Sequence, residues 1–191
     1  MFKSQAHFFE ANGDHITLLS VYNKWREMKY SNPWCVHNFI QSRSLKHAMD
    51  VRKQLVAICD RFGLTHDNEA INIVNISKAI TSGYFMHAAK KDPQEGYKTL
   101  VEGQPAYIHP SSALFNHQPD WLIFHHLVLT SKEYMRENLV IQPQWLCELA
   151  PRFYKKADPI RLSKRKRREK IEPLYDRYAE PNSWRLSRRR Y

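Results

Sequence analysis

The sequence predicts an α+β chain: an N-terminal helical bundle, then a small OB-like β-barrel, then a basic C-terminal tail. Three observations predict it. Apolar residues recur at helical spacing through roughly the first 84 positions. After Lys90-Lys91-Asp92-Pro93 they give way to short runs of branched and aromatic residues separated by turn residues. Positive charge then collects at the end: residues 155–191 hold 14 Lys/Arg against 5 Asp/Glu, a surplus of +9, which leaves +2 of the total +11 for residues 1–154. The expected divisions are 1–90 for the helical module, 91–154 for the barrel with a closing helix, and 155–191 for the tail.

The elements follow in order. Asp14 fits an N-cap for HITLLSVYNKW, in which Leu18, Leu19, Tyr22 and Trp25 share one helical face. Ser31-Asn32-Pro33 interrupts that pattern, and a second helical region starts near Trp34. A long amphipathic run follows, with Leu45, Met49, Leu55, Cys59 and Phe62 as its apolar stripe and Gly63 as its stop. A third helical run covers about residues 68–84, with Ile71, Val74, Ile76 and Ile80 inside it. Strands are predicted at 96–101, at 104–109 after the Glu102-Gly103 turn, at 121–130 and at 138–141. Gln142-Pro143 opens a short helix carrying Trp145, Leu146 and Leu149.

Several chemistries lack their sequence requirements. No apolar run reaches the roughly 18–20 residues of a bilayer crossing, and MFKSQAHFFE holds no apolar signal segment. No membrane partner is expected. Cys35, Cys59 and Cys147 are far apart and form no C-x-x-C pair, so free thiols in a reducing compartment are expected. The five glycines cannot assemble a phosphate-cradling loop, so the chain should not hydrolyse ATP by itself. The ten histidines do not fall at ligand spacing. His125 and His126, adjacent in a predicted strand, should face opposite sides and not share a metal. No metal site is expected.

The stretch 107–115, YIHPSSALF, sets His109 close to Ser111 and Ser112. A Ser–His nucleophile needs a base in reach, an orienting acid and an oxyanion hole. Pro110 disfavours the αR conformation at His109, and no Gly-x-Ser-x-Gly elbow occurs. The stretch reads as a turn whose hydroxyls bond the local backbone or a phosphate oxygen. No catalytic residue is expected. What remains is a binding signature. Arg43, Arg52 and Lys53 lie on the long helix, Lys78 on the next, and Lys90 and Lys91 at the junction. A groove between such a bundle and a barrel could track a single strand through its phosphates.

The segments GDHITLLSVYNKW, YSNPWCVHNFIQSRSLKHAMDVRKQL, KAITSGYFMHAAKKDPQEGYKTL, YIHPSSALF and LVLTSKEYMRE, in that order, resemble the C-terminal part of a DEAH-box RNA helicase. AAKKDPQEGYKTL and the ending from Ile171-Glu172-Pro173-Leu174-Tyr175 to Trp184-Arg185 most resemble the pre-mRNA-splicing members that release spliced mRNA. The resemblance implies a ratchet-like helical module followed by an OB-fold, both closing over two motor domains. It implies nuclear localisation and, as partners, single-stranded RNA (pre-mRNA or mRNA), the motor domains and spliceosomal or activator proteins. ATP and Mg would serve the parent's motor, with no cofactor for this chain. The residues expected at RNA are Arg43, Arg52, Lys78, Lys90, His109, Ser111, Ser112, Thr130, Ser131 and Lys132. The rival reading is a protein-interaction module that docks an activator or scaffold, with Tyr175, Tyr178 and Trp184 as anchors. A hydrolase built on His109 and the serines is the third and weakest reading.

Overall fold

Ser31 and Pro33 turn the first corner of the helical module. The Ser31 hydroxyl accepts from the Trp34 N–H, and the proline occupies the first turn, where a missing donor costs nothing. The computed structural model describes residues 7–64, 72–156 and 171–173. The helix start predicted at 68–71, the basic run 161–170, and Tyr175, Tyr178 and Trp184 lie outside those residues. Helices α1 (Asp14–Glu27), α2 (Asn32–His37), α3 (Ser42–Arg61) and α4 (Ile73–Tyr84) come first. Strands β1 (Ala88–Lys91), β2 (Tyr97–Thr99), β3 (Pro105–Ile108), β4 (Trp121–Leu129) and β5 (Glu133–Val140) follow. Helix α5 (Pro143–Leu149) comes next, and β6 (Tyr154–Lys156) pairs with β7 (Ile171–Pro173).

The first five strands close a barrel in the order β1-β2-β3-β5-β4. All neighbours are antiparallel except β3 and β5, which run parallel. That closure is the OB topology, so the α+β class and the helix-then-barrel order hold. Ala89, Tyr97, Ala106, Ile108, Leu114, Leu122, Phe124 and Met135 fill the barrel. Successive strand residues face opposite ways, so Ala88, Ile123 and Leu139 point outward. They meet Trp145 and Leu146 of α5 and the Ile76 and Ile80 side of α4 in a second core. This is why β4 is apolar on both faces. Strand β1 escapes the sequence pattern because AAKK is short and half basic. Its two alanines are fully buried, small enough for the barrel wall.

Two boundaries move. The barrel starts at Ala88, so the division at 90/91 cuts β1. The division at 154/155 cuts β6, and Ile171, buried beside Phe153 and Tyr154, belongs to the second core. The predicted stripe on α3 also behaves differently along its length. Leu45 is buried with Trp25 and Cys35, and Met49 packs on them. Leu55 and Phe62 are 55% and 66% exposed, so the second half of the stripe stays open. Gly63, at φ 64°, does end the helix, with the Leu64 N–H bonded to Cys59 O.

Asp14 does not cap α1. The N-cap is Gly13, and Asp14 turns its carboxylate onto the barrel. Oδ2 accepts from Ser112 Oγ at 2.8 Å and from the Asn138 N–H at 2.7 Å, and Oδ1 accepts from the Ala113 N–H at 2.7 Å. Gly13 pairs with Leu139 at φ 120°, and a Cβ there would lie 2.3 Å from Asn138 O. One glycine and one carboxylate therefore join the helical module to β5.

Candidate nucleic-acid interface

The parallel register of β3 and β5 sets Tyr107 beside Tyr134, with ring centroids 6.3 Å apart. His109 meets Tyr134 edge-on at 5.7 Å. Lys132, in the β4–β5 turn, lies with Nζ 4.1 Å from the Tyr107 ring centroid and 2.8 Å from Glu95 Oε1 in the β1–β2 loop. This contact ties the two loops together over β3. Its hydrogen bond holds the Glu95 carboxyl below, and the Lys132 ammonium above, their ordinary ranges. Gly96 is required beneath it: at φ 63° its Cβ would lie 2.8 Å from the Tyr107 ring. The loops bound a cleft of about 510 Å³ lined by Lys91, Glu95, Tyr107, Phe115, Lys132 and Tyr134 among others. The half-buried Tyr107 and Tyr134 rings and the exposed Phe115 ring lie on the loop side of the barrel and can serve as stacking faces, with Lys91 and the Glu95-paired Lys132 beside them.

The turn at 109–112 sits beside this cleft. The Ser112 N–H donates to His109 O at 2.9 Å, closing a β-turn. The Ser111 N–H donates to His109 Nδ1 at 3.1 Å, and the Ser111 hydroxyl lies 2.6 Å from the same nitrogen. Nδ1 thus accepts from the Ser111 N–H, a bond that favours the neutral imidazole over the protonated one. Both Asp14 oxygens are spent on Ser112 and on backbone N–H groups, so Asp14 does not orient His109 for nucleophilic chemistry.

Burial, then the charge of Arg136, lowers the His109 pKa, while Asp14 opposes them. In the unfolded chain the imidazole binds a proton more readily, so this group's contribution to stability is complete above its ordinary value of 6.5 and is lost as pH falls below it. Melting temperature should therefore drop between pH 7 and pH 5.5, and His109→Gln should flatten that slope. An equally steep slope in the variant would remove His109 from the account.

The residues predicted from sequence do not form one cluster. Lys132 lines the cleft, with Thr130 and Ser131 exposed in the same turn. His109 touches it through Tyr134. Ser111 lines a different groove, of about 700 Å³, with Phe8, Leu18, Phe39 and Arg136. Ser112 is buried, and its hydroxyl is engaged with Asp14, Leu114 N–H and Asn138, so it holds the turn and offers no free hydroxyl. Lys78 is ion-paired with Glu148 of α5 at 2.8 Å. Lys90 Nζ lies 5.4 Å from the Trp121 ring centroid. Arg43 and Arg52 are exposed on α3. Tyr107, Tyr134, Phe115 and Glu95 were not predicted. Only the β3–β5 pairing, between residues far apart in the chain, brings the two tyrosines together.

His125 and His126 overturn the expectation that they face apart. Their Nδ1 atoms are 2.8 Å from each other. The β4–β5 ladder skips the pair His125–Glu137, and Glu137 has φ 56°, so the pleat is interrupted where the alternation rule was applied.

Comparison with known proteins agrees with this architecture. Residues 76–154 match the oligonucleotide/oligosaccharide-binding (OB)-fold family. The pre-mRNA-splicing factor ATP-dependent RNA helicase prp22 of Schizosaccharomyces pombe is 42% identical over 189 residues. That alignment takes in 98% of this chain and 16% of the relative, so the chain spans about a sixth of the relative's length. Over residues 76–154 the chain is thus similar to the oligonucleotide/oligosaccharide-binding (OB)-fold family, and along nearly all its length it is similar to about a sixth of a pre-mRNA-splicing RNA helicase.

Proposed function

We propose that this chain is an auxiliary RNA-gripping region of a nuclear, ATP-dependent DEAH-box helicase acting in pre-mRNA splicing, in mRNA release and spliceosome disassembly. The observation that carries the reading is the cleft itself: Tyr107, Tyr134 and Phe115 between Lys91 and Lys132 on the loop face of an OB barrel. Bases of a single strand stack on the rings, and phosphates meet the lysines. Such a grip is tolerant of sequence, because every base has a stacking face. ATP and Mg would act in the parent's motor domains. The open half of the α3 stripe, with Leu55, Ile58 and Phe62 exposed, is an apolar surface suited to contact with those domains.

Arg43, Arg52, Lys90, Ser111, Thr130, Ser131 and Lys132 remain proposed backbone contacts. A fluorescence-anisotropy titration of a short single-stranded RNA with the intact helicase, over several salt concentrations, tests two of them. Lys132→Ala and Arg52→Ala should each weaken binding across sequences and lower the salt slope by about 1. Unchanged affinity and slope in both would remove these assignments. A second reading, docking of an activator or scaffold protein, draws on the groove with Phe8, Leu18 and Phe39, the last two 62% and 59% exposed. Co-purification that survives nuclease treatment would favour it.

A further inference from the structure

We propose that His125, His126 and Glu137 form a binding site for a divalent transition-metal ion of the zinc type. The three side chains offer ligand atoms that all lie within 4.8 Å of one another. The separations are those of a coordination shell. His125 Nδ1 is 2.8 Å from His126 Nδ1 and 3.1 Å from Glu137 Oε2. Nitrogen and oxygen ligands about 2.0–2.2 Å from a zinc ion, at octahedral to tetrahedral angles, stand roughly 2.8–3.6 Å apart.

A metal ion satisfies both nitrogens and the carboxylate together. Two imidazoles and one carboxylate suit zinc and its late first-row neighbours better than magnesium or calcium, which prefer all-oxygen shells. Three protein ligands leave a further position for water or another oxygen donor.

The surroundings hold the cluster in place. The His125 carbonyl is bonded by His87 Nδ1 at 3.0 Å, and the His125 ring packs on Tyr84 at 5.5 Å. His87 is in turn stacked on Phe124 at 5.3 Å and packed on Tyr84 at 5.8 Å. The left-handed backbone at Glu137 breaks the pleat beside the pair. Tyr84 thus restrains the His125 ring, and His87 restrains the backbone of the same residue. The His125 and Glu137 side chains are 45% and 50% exposed, so an ion has access. His15 on α1 lies in the field of Glu137 and His125, and its Nδ1 is buried without a partner among the described residues. The three ligands lie outside the lining of the aromatic cleft, and Glu137 also borders the groove with Phe8, Leu18 and Phe39.

The test is calorimetric titration of the full chain with zinc chloride, beside His126→Gln, Glu137→Gln and a control, His117→Gln, in an exposed loop. The expected result is one zinc ion per chain, with affinity reduced at least tenfold in the first two variants and unchanged in the control. Zinc should also shift the ring nitrogen resonances of His125 and His126. Circular dichroism verifies folding, and if His126→Gln does not fold, the exposed Glu137→Gln carries the same comparison. Absence of binding, or full affinity in both cluster variants, would overturn the proposal. The latter result would assign zinc to other histidines or thiols.

Discussion

Asp14→Ala is expected to destabilise the chain by about 3–5 kcal/mol, by analogy with other broken networks of charge-assisted hydrogen bonds. The carboxylate accepts from one hydroxyl and two backbone N–H groups, all within 2.8 Å. Alanine leaves those donors without their acceptor in a half-buried joint, where each unpaired group costs about 1–3 kcal/mol. Ser112 and Asn138, both buried, lose the anchor they share, and the turn at 109–112 loses its tie to α1. Asp14→Asn keeps one oxygen and should recover part of the loss. Gly13→Ala should be comparably severe, since its Cβ would lie 2.3 Å from a backbone oxygen. Urea unfolding followed by tryptophan fluorescence measures all three. A loss under about 1 kcal/mol for Asp14→Ala would mean that α1 and the barrel are held by apolar contact alone.

The double variant Tyr107→Ala, Tyr134→Ala should lose most affinity for single-stranded RNA. Base stacking on an aromatic residue is worth about 1–3 kcal/mol by alanine substitution. Each tyrosine thus carries about 5- to 150-fold in the dissociation constant. Tyr→Phe at either position keeps the stacking face and should stay close to wild type. Loss in the phenylalanine variants equal to loss in the alanine variants would move the contribution from the rings to the hydroxyls. Tyr107 also packs on Gly96 and under Lys132, so its removal frees the Glu95–Lys132 tie across the cleft. Lys132→Ala combined with Tyr107→Ala should accordingly fall short of additivity.

The elements that the sequence reveals are those written in local periodicity. The helical stripe through Leu45 and Met49, the Gly63 stop and the strands at Tyr97, Ala106 and Ile123 needed only their neighbours to be read. What stayed hidden depends on contacts between distant segments. Asp14 looks like a cap by position, yet β5 and the 109–112 turn offer it three donors, and the helix forms with Gly13 at its start. Ser112 looks like a surface hydroxyl, yet that same network buries it. The cleft depends on Tyr107 meeting Tyr134 across a parallel pair, which no spacing within either strand encodes. Lys78 looks like an available cation until α5 brings Glu148 to it. His125 and His126 follow the alternation rule on paper, and one left-handed residue opposite them defeats it. The resemblance to helicase segments reached further than periodicity, because it carried the order of modules without needing any single contact.

The central claim is that the OB cleft, and not the basic run near the C-terminus, holds single-stranded RNA. Nuclear magnetic resonance mapping of backbone amides in the full chain, as a short single-stranded RNA is added at moderate salt, tests it most directly. The account predicts the largest shifts at residues 92–96, at 107–109 around Tyr107, and at 130–134 around Lys132 and Tyr134. Shifts confined to residues 161–170, with the cleft unmoved, would contradict it and reduce RNA binding by this chain to counterion release along a charged segment.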